Sequence, residues 1–368
     1  MSDVPTKDYA RQLRPIWGEL QAALERTFFD DDPILGDAVD RFEGALARYH
    51  RVGHAVGTGS GTDATVLLLR ELGVGRGDEV ITCAHTFAGV VSAILLAGAR
   101  PVLVDADPRT GLLPPDAVEA AVTGATRAIL AVHFYGHPVD LDALAALADR
   151  CGVALVEDAA QAHGATWRGR PVGAFGAGAI LSFHPSKNLG AFGDGGAVLT
   201  SDPRVAEGLR VARNLGKSDK HRFARVAPNT KLDTLQAAIL EVKLRHLDAW
   251  VARRRALAAT YLEGLRGVGD LELPGEAPEA HHAYHLFVVR TARRDALRSA
   301  LERRGIKTGM HYPIAAHHQP ALAPHFPGAS FPVAERMAAT GVSLPLSHEH
   351  TDAEIARVVD AVRAFFSS

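Results

Sequence analysis

Three segments of this chain hold residue types whose spacing suits one kind of chemistry. The last of them, 182–190, reads Ser-Phe-His-Pro-Ser-Lys-Asn-Leu-Gly and is followed by Gly193-Asp194-Gly195-Gly196. Lys187 stands just past an apolar run and between proline and glycine. That is an unusual place for a solvated charge and a common one for an imine-forming amine. A surface loop lysine is the plainer reading, and a Ser–Lys hydrolase would need serine where His184 stands. Upstream, 156–164 reads Val-Glu-Asp-Ala-Ala-Gln-Ala-His-Gly, with Asp158 where an apolar run gives out. Such a carboxylate either lies at the active edge of a sheet or caps the next helix. The first segment, 57–64, is Gly-Thr-Gly-Ser-Gly-Thr-Asp-Ala ahead of a helical pattern. Its small residues let backbone N–H groups approach an anion at a helix N-terminus. It matches neither the dinucleotide fingerprint nor a Walker loop, and an N-capped helix after a glycine-rich turn reads the same way.

Taken together, the three segments have the layout that pyridoxal 5'-phosphate (PLP) requires. A lysine holds the aldehyde as a Schiff base, and an aspartate keeps the pyridine nitrogen protonated so that the ring accepts electrons. The helix start holds the phosphate.

The elements that must position these groups are legible from periodicity. Short apolar runs at 79–82, 100–105, 128–133, 153–157, 179–183 and 196–200 read as strands buried on both faces. Helical patterns lie between them at 62–72, 89–97, 115–121 and 141–150. This alternation predicts an α/β domain with a mostly parallel sheet, whose ligands sit beyond the carboxyl ends of the strands. After residue 230 the texture changes. One long helical pattern over 232–265, mildly interrupted near Asp248, reads as a connector. A strand at 283–290, helices at 293–304 and 352–366, and a proline- and histidine-rich loop at 315–331 predict a smaller α+β C-terminal domain. The division falls between 1–244 and 245–368.

Composition narrows the function classes. Of 368 residues, 47% are hydrophobic and 22% charged, which places the chain among globular proteins. Lys plus Arg number 40 against 42 Asp plus Glu, so a net charge of −2 offers no field for nucleic acid or anionic membrane. The Arg253-Arg254-Arg255 run then reads as a solvated helix face or a dimer contact. The longest apolar stretch, 86–99, falls short of the ~20 residues that span a bilayer and predicts a buried helix. No apolar leader opens the chain, and Cys83 and Cys151 lie among apolar residues, as buried thiols in a reducing cytosol. Histidines 281 and 285 can be forced onto a metal spacing, but no cysteine pair or HExxH accompanies them, so no metal is expected.

Most of the chain, from Pro33-Ile34-Leu35-Gly36 to Ser343-Leu344-Pro345-Leu346, resembles the DegT/DnrJ/StrS family of sugar aminotransferases. The resemblance is carried by GTGSGTDA, VHFYGHPVDLD, VEDAAQAHGA, SFHPSKNLGAFGDGGAV, the Asn229–Ala238 text NTKLDTLQAA and TGMHYP. Cys83 departs from it, standing where the family usually has proline. The resemblance implies an aspartate-aminotransferase-like (fold type I) large domain and assigns roles. Lys187 is the Schiff-base lysine and proton shuttle, and Asp158 is the partner of the ring nitrogen. Gln161 lies beside the ring's 3-oxygen, and Phe87 stacks on the ring. Ser182, with Ser60, Gly61 and Thr62, holds the phosphate. Asn229 reaches the phosphate in the neighbouring subunit, which implies a homodimer with shared active sites. His311, Tyr312 and Lys220 are assigned to the substrate side.

The implied reaction moves an amino group from glutamate or glutamine to a nucleotide-linked ketosugar, in aminosugar, antibiotic or surface-glycan biosynthesis. The YGHPVDLD and SFHPSKNLGAFGDGGAV texts resemble enzymes of nucleotide-linked 3-keto-6-deoxyhexoses, and a dTDP-3-keto-6-deoxyhexose is the substrate expected. Enzymes of 4-keto sugars and of the cyclitol scyllo-inosose share the same core motifs. Related dehydratases replace the lysine with histidine, and a non-catalytic regulatory homologue would lose Asp158 or Lys187. Both residues stand here. A cytoplasmic enzyme is expected.

Overall fold

The computed structural model describes residues 3–367. The alternating region folds into β1 (His54–Thr58), β2 (Glu79–Cys83), β3 (Arg100–Val104), β4 (Thr126–Val132) and β5 (Ala154–Asp158). The short β6 (Thr166–Trp167) and β7 (Arg170–Pro171), then β8 (Gly178–Ser182) and β9 (Gly196–Thr200), follow. A seven-stranded sheet runs in the order β1-β9-β8-β5-β4-β2-β3. Every neighbouring pair is parallel except the two that β9 makes, with β1 and with β8. The carboxyl ends of the six co-directed strands therefore meet the first residue of β9 along one edge.

That register sets the site. Gly196 stands opposite both Thr58 and Ser182, and Asp158 stands opposite Val132. The strands are apolar throughout because helices cover the sheet, among them Gly61–Glu71, Ala88–Ala97, Leu141–Cys151 and Pro203–Arg213. Each helix is bounded by its own chemistry. Ser60 and Asp140 cap two of them by accepting from Asp63 N and Ala143 N, and Gly98 ends a third at φ 99°.

A second apolar cluster is built on β11 (Phe287–Arg290) and β12 (Gly341–Leu344), an antiparallel pair, with helices Arg294–Glu302 and Asp352–Phe366. The small β10 (Ala280–His281) pairs instead with β6. Val4 also belongs to the second cluster, so the start of the chain packs with its C-terminal part. Helix Leu247–Gly264 links the two clusters, with Leu247 and Val251 in the first and Leu257 and Tyr261 in the second. Among the described residues no helix is long and apolar enough to cross a membrane.

Several expectations change. The 232–265 pattern is two helices, Thr234–Leu244 and Leu247–Gly264, broken at Arg245-His246. The strand expected at 283–290 shrinks to β11, because residues 283–286 serve as a loop against Gly136 and Tyr135. Cys151 is exposed, since it ends a helix whose buried face is Leu141, Leu144, Leu147 and Ala148. Arg254 is no solvated residue. It is fully buried and donates to the carbonyls of Tyr284, His285 and Leu346 at 3.2, 3.4 and 2.9 Å and to Ser347 Oγ at 2.8 Å. Its neighbours stay outside, where Arg253 pairs with Asp352 and Arg255 with Glu276.

Arg254→Met removes four donated bonds and leaves buried acceptors unpaired. We expect a loss of roughly 2–4 kcal/mol in urea unfolding. Stability unchanged within about 0.5 kcal/mol would show that these carbonyls are satisfied without Arg254.

Candidate active site

Asp158 is the last residue of β5, and its side chain is 5% exposed. One carboxylate oxygen accepts from Ala160 N at 3.0 Å, so it does tie the following turn. Burial pushes this carboxyl above its ordinary 3.8, against the opposing pull of the Ala160 amide, Lys187 and His133. A carboxylate placed this way gains from a cationic hydrogen-bond donor across the cavity.

Lys187 lies five residues beyond Ser182, the end of β8, in a loop closed by Ala191 N donating to Phe183 O at 2.7 Å. Burial brings its amine down to about 8, with Asp158 opposing. At pH 7 roughly a tenth of the amine is therefore free to act as a nucleophile or base, against well under a thousandth at the ordinary lysine value.

The anion seat forms where β1, β8 and β9 converge. Ser60 caps helix Gly61–Glu71, accepting from Asp63 N at 3.1 Å and donating to Asp63 Oδ2 at 2.8 Å. Its hydroxyl is thus committed to the helix. The amides of Gly61 and Thr62, which no helical carbonyl can reach, remain for an anion. The backbones there are too close for side chains. A Cβ at Gly61 would lie 2.8 Å from Ser182 Cβ, and one at Gly196 would lie 2.4 Å from the Ser60 carbonyl.

These parts border one cavity of about 350 Å³. Ser60, Gly61, Thr62 and Ser182 line the anion end, and Asp158 and Lys187 line the reactive end. Phe87, 48% exposed, and Tyr312 also line it, with their rings 5.2 Å apart. The residues present fit pyridoxal phosphate: an anion cradle without Cβ atoms, an exposed ring, a buried carboxylate short of a donor and a lysine of lowered pKa.

The structure separates the other expected residues from this lining. Gln161 is buried and does not border the cavity itself, its Oε1 accepting from Tyr135 N at 2.8 Å and its side chain bonding to Tyr312, which does. His311 lies beside the cavity with Nδ1 on Ser343 Oγ at 2.7 Å, and burial near Lys187 lowers it to about 4. Lys220 and Asn229 are exposed on the segment that pairs Asn214 with Asn229, and neither reaches this chain's cavity. Asn229 Oδ1 accepts from Lys231 Nζ at 2.5 Å.

Sequence reasoning missed His184, Ser186 and Asp194 as lining residues. It also missed a brace below Asp158. Glu157, wholly buried, accepts from His133 Nε2 at 3.1 Å and from Gly173 N and Phe175 N at 2.7 and 2.8 Å. Val139 N donates to His133 Nδ1 at 3.2 Å, which puts the proton on Nε2. The signal was present, because strand alternation sends a residue next to Asp158 to the opposite, equally buried face. Away from the cavity, the ligand atoms of His317, His318 and Glu335 lie within 4.8 Å of one another. Glu335 there caps its helix by accepting from Phe331 N at 2.9 Å and Ser330 Oγ at 3.1 Å.

The chain as a whole is similar to known proteins. The profile of the DegT/DnrJ/EryC1/StrS aminotransferase family matches residues 16–363. A dTDP-3-amino-3,4,6-trideoxy-alpha-D-glucose transaminase of Streptomyces venezuelae is 48% identical over 98% of this chain and 95% of its own length. The crystal structure of S. venezuelae DesV in complex with a ketimine intermediate superposes with a TM-score of 0.98, at 47% identity over 100% of both chains. That of NtdA from Bacillus subtilis, with bound cofactor PMP, gives a TM-score of 0.93 at 29% identity, covering 100% of this chain and 86% of the other.

In the apoprotein, the rate at which Lys187 captures pyridoxal phosphate should rise with pH through a midpoint near about 8. Asp158→Asn removes the charge that holds the ammonium form, so the midpoint should fall further. Stopped-flow absorbance over a pH series measures both, and a midpoint at the ordinary lysine value near 10.5 contradicts the buried setting.

Proposed function

The chain belongs to the DegT/DnrJ/EryC1/StrS aminotransferase family, and on that premise we propose that it aminates a nucleotide-linked 3-keto-6-deoxyhexose. The sugar carrier is dTDP and the donor is glutamate or glutamine. The observation that carries the reading is the shared cavity of Asp158, Lys187 and the Gly61–Thr62 helix start. The 48% identity to a dTDP-3-amino sugar transaminase supports the 3-keto position over the 4-keto and cyclitol alternatives.

Lys187 would hold pyridoxal phosphate through its amine, and Asp158 would face the ring nitrogen. Gly61, Thr62 and Ser182 would take the phosphate, Phe87 would cover the ring, and Gln161 would stand on the 3-oxygen side. When bound, the cofactor supplies an electron sink next to the carbon that bears the amine. Once the amine of the donor has displaced it, Lys187 Nζ would take a proton from that carbon and return one to the carbon on the far side of the intervening nitrogen, and with the keto sugar it would serve the same two positions in reverse. Its lowered pKa suits both directions. Asp158, fixed by Ala160 N, keeps its charge directed along one line, and the Glu157–His133 brace holds that strand end in place. An intact Lys187 sets the chain apart from dehydratases that carry histidine there.

The same reading divides the chain into a cofactor-holding part, 1–244, and a smaller part, 245–368, and makes it a cytoplasmic homodimer. Asn229 would serve the partner's phosphate seat. Its exposed position, outside its own cavity, supports that role. His311, Tyr312 and Lys220 stand as substrate-side residues in this reading, with Tyr312 the one that already borders the cavity.

Purified protein offered a dTDP-3-keto-6-deoxyhexose, its 4-keto isomer and scyllo-inosose should show the highest kcat/KM on the first, by at least about tenfold. A preference for either of the others, with glutamate or glutamine as donor, would overturn the substrate assignment.

Shared sites make a second expectation. Lys187→Ala and Asn229→Asp proteins, each inactive, should regain part of wild-type activity when mixed. One site of the heterodimer collects both lesions and the other collects none. If subunits demonstrably exchange and no activity returns, Asn229 does not serve the partner.

A further inference from the structure

Beyond Ser182 the chain leaves the sheet, so the loop bearing Lys187 has no strand ladder to hold its backbone. Its ends are tied to each other, and Gly190 fits against Pro185 where a Cβ would come within 2.5 Å of the Pro185 carbonyl. The two carbonyls that flank Lys187-Asn188-Leu189 lie outside any strand ladder and need donors. Both receive a lysine. Lys243 Nζ, from helix Thr234–Leu244, donates to Gly190 O at 2.5 Å, and Lys7 Nζ donates to Ser186 O. Lys243 is buried, with its ammonium also 4.9 Å from the Phe192 ring centre.

Placing an ammonium in such a setting is unfavourable, and a neutral side chain would fill the space at less expense. Burial brings Lys243 down to about 8, and burial with the Arg254 guanidinium nearby brings Lys7 well below 10.5. Lys187, Lys243 and Arg254 all face Lys7, with Glu349 the opposing charge and His348 in the same cluster. Lys7 is also held from both sides. Val4 N donates to Gly305 O at 2.8 Å, Lys307 N to Val4 O at 2.9 Å, His350 Nε2 to Pro5 O at 2.9 Å, and Asp8 N to Glu349 Oε1 at 2.9 Å. A segment fixed at four points by the C-terminal part of the chain delivers one amine to the back of the Lys187 loop.

We propose that Lys7 and Lys243 are positioning residues, which clamp the carbonyls of Ser186 and Gly190 so that Lys187 presents its amine to the cavity at one fixed height. The proposal rests on the reading of Lys187 as the cofactor lysine. A loop free to shift by about 1 Å would lose on the order of a hundredfold in rate, because the same amine must reach two carbons in turn. The Lys7 arm further makes the geometry of the reactive lysine depend on the docking of the C-terminal part.

The test uses the holoenzyme and three variants, Lys7→Met, Lys243→Met and Lys7→Arg. Each methionine variant should lower kcat by about ten- to a hundredfold, with both KM values within about threefold of wild type. The pH midpoint of the visible absorption band of the bound cofactor should move by at least about half a unit, because it reports the surroundings of the Lys187 nitrogen. Lys7→Arg keeps a donor and should return kcat to within about threefold of wild type. A wild-type kcat or an unmoved band in the folded methionine variants overturns the clamp, whatever happens to melting temperature. If Lys243→Met does not fold, the half-buried Lys7 decides the matter alone. Borohydride reduction of the wild type separates the two levels: cofactor fixed to a peptide without Lys187 defeats the underlying reading, while cofactor on Lys187 with unaffected variants defeats only the clamp.

Discussion

Gly196 opens β9 between Thr58 and Ser182, and its Cα lies so near the Ser60 carbonyl that a Cβ would sit 2.4 Å away. This close approach of three backbones is what lets helix Gly61–Glu71 present its first amides at the sheet edge. β9 is the one reversed strand, so its first residue, not its last, arrives at the edge where its neighbours end. A parallel strand in that slot would bring a carboxyl terminus and a departing loop to the same place. The reversed strand brings a glycine and the incoming loop from Lys187. The anion seat and the reactive lysine are thus two ends of one connection, 183–195, and moving either would move the other.

The electrostatics of the site follow from burial. Asp158 is raised by desolvation, Lys187 is lowered by it, and each is partly restored by the other. No hydrogen bond joins the pair among the described residues, and both line the same cavity. Below the sheet edge the buried charges are braced without touching the cavity. Glu157 is satisfied by a histidine and two amides, and Arg254 donates through its two terminal nitrogens to three carbonyls and a hydroxyl while its buried Nε finds no partner. Such groups are expensive to bury, and each bond they make fixes the geometry of the partner it reaches.

Local pattern made the reactive residues legible and left their surroundings obscure. Asp158 and Lys187 are visible because each follows an apolar run, and a parallel sheet sends all such ends to one edge. β1 was not visible as a strand, since His54-Ala55-Val56-Gly57-Thr58 runs without a break into the glycine-rich turn and holds a single β-branched apolar residue. β12 and helix Pro332–Thr340 lie beyond the 315–331 loop, where no alternation frames them. The middle of an arginine run read as solvated, yet Arg254 is interior, because the helix that carries it passes between two apolar clusters. The commitment of Ser60 to Asp63 and of Gln161 to Tyr135 N depends on partners three and twenty-six residues away. Only the first of these has a sequence signature, that of a helix cap.

The same division of labour explains why core motifs name a reaction more readily than a substrate. In the proposed reading the atoms that move are fixed by Lys187 and Asp158, which any transfer of an amino group through pyridoxal phosphate would need in the same place. Choosing a 3-keto over a 4-keto sugar requires that the hydroxyls flanking the ketone meet donors and acceptors, and a hydroxyl-reading site rejects a misplaced group far more strongly than an apolar one. Side chains that line the cavity without belonging to that core are free to differ, and here these include Tyr312, His184 and Ser186. His184 Nδ1 and Ser186 Oγ are 2.9 Å apart, so the hydroxyl is oriented by the imidazole and the pair presents one defined donor–acceptor face. Both side chains belong to the loop that carries Lys187. Three lining side chains, His184, Ser186 and Lys187, are therefore mounted on one short loop, and what steadies that loop steadies all three.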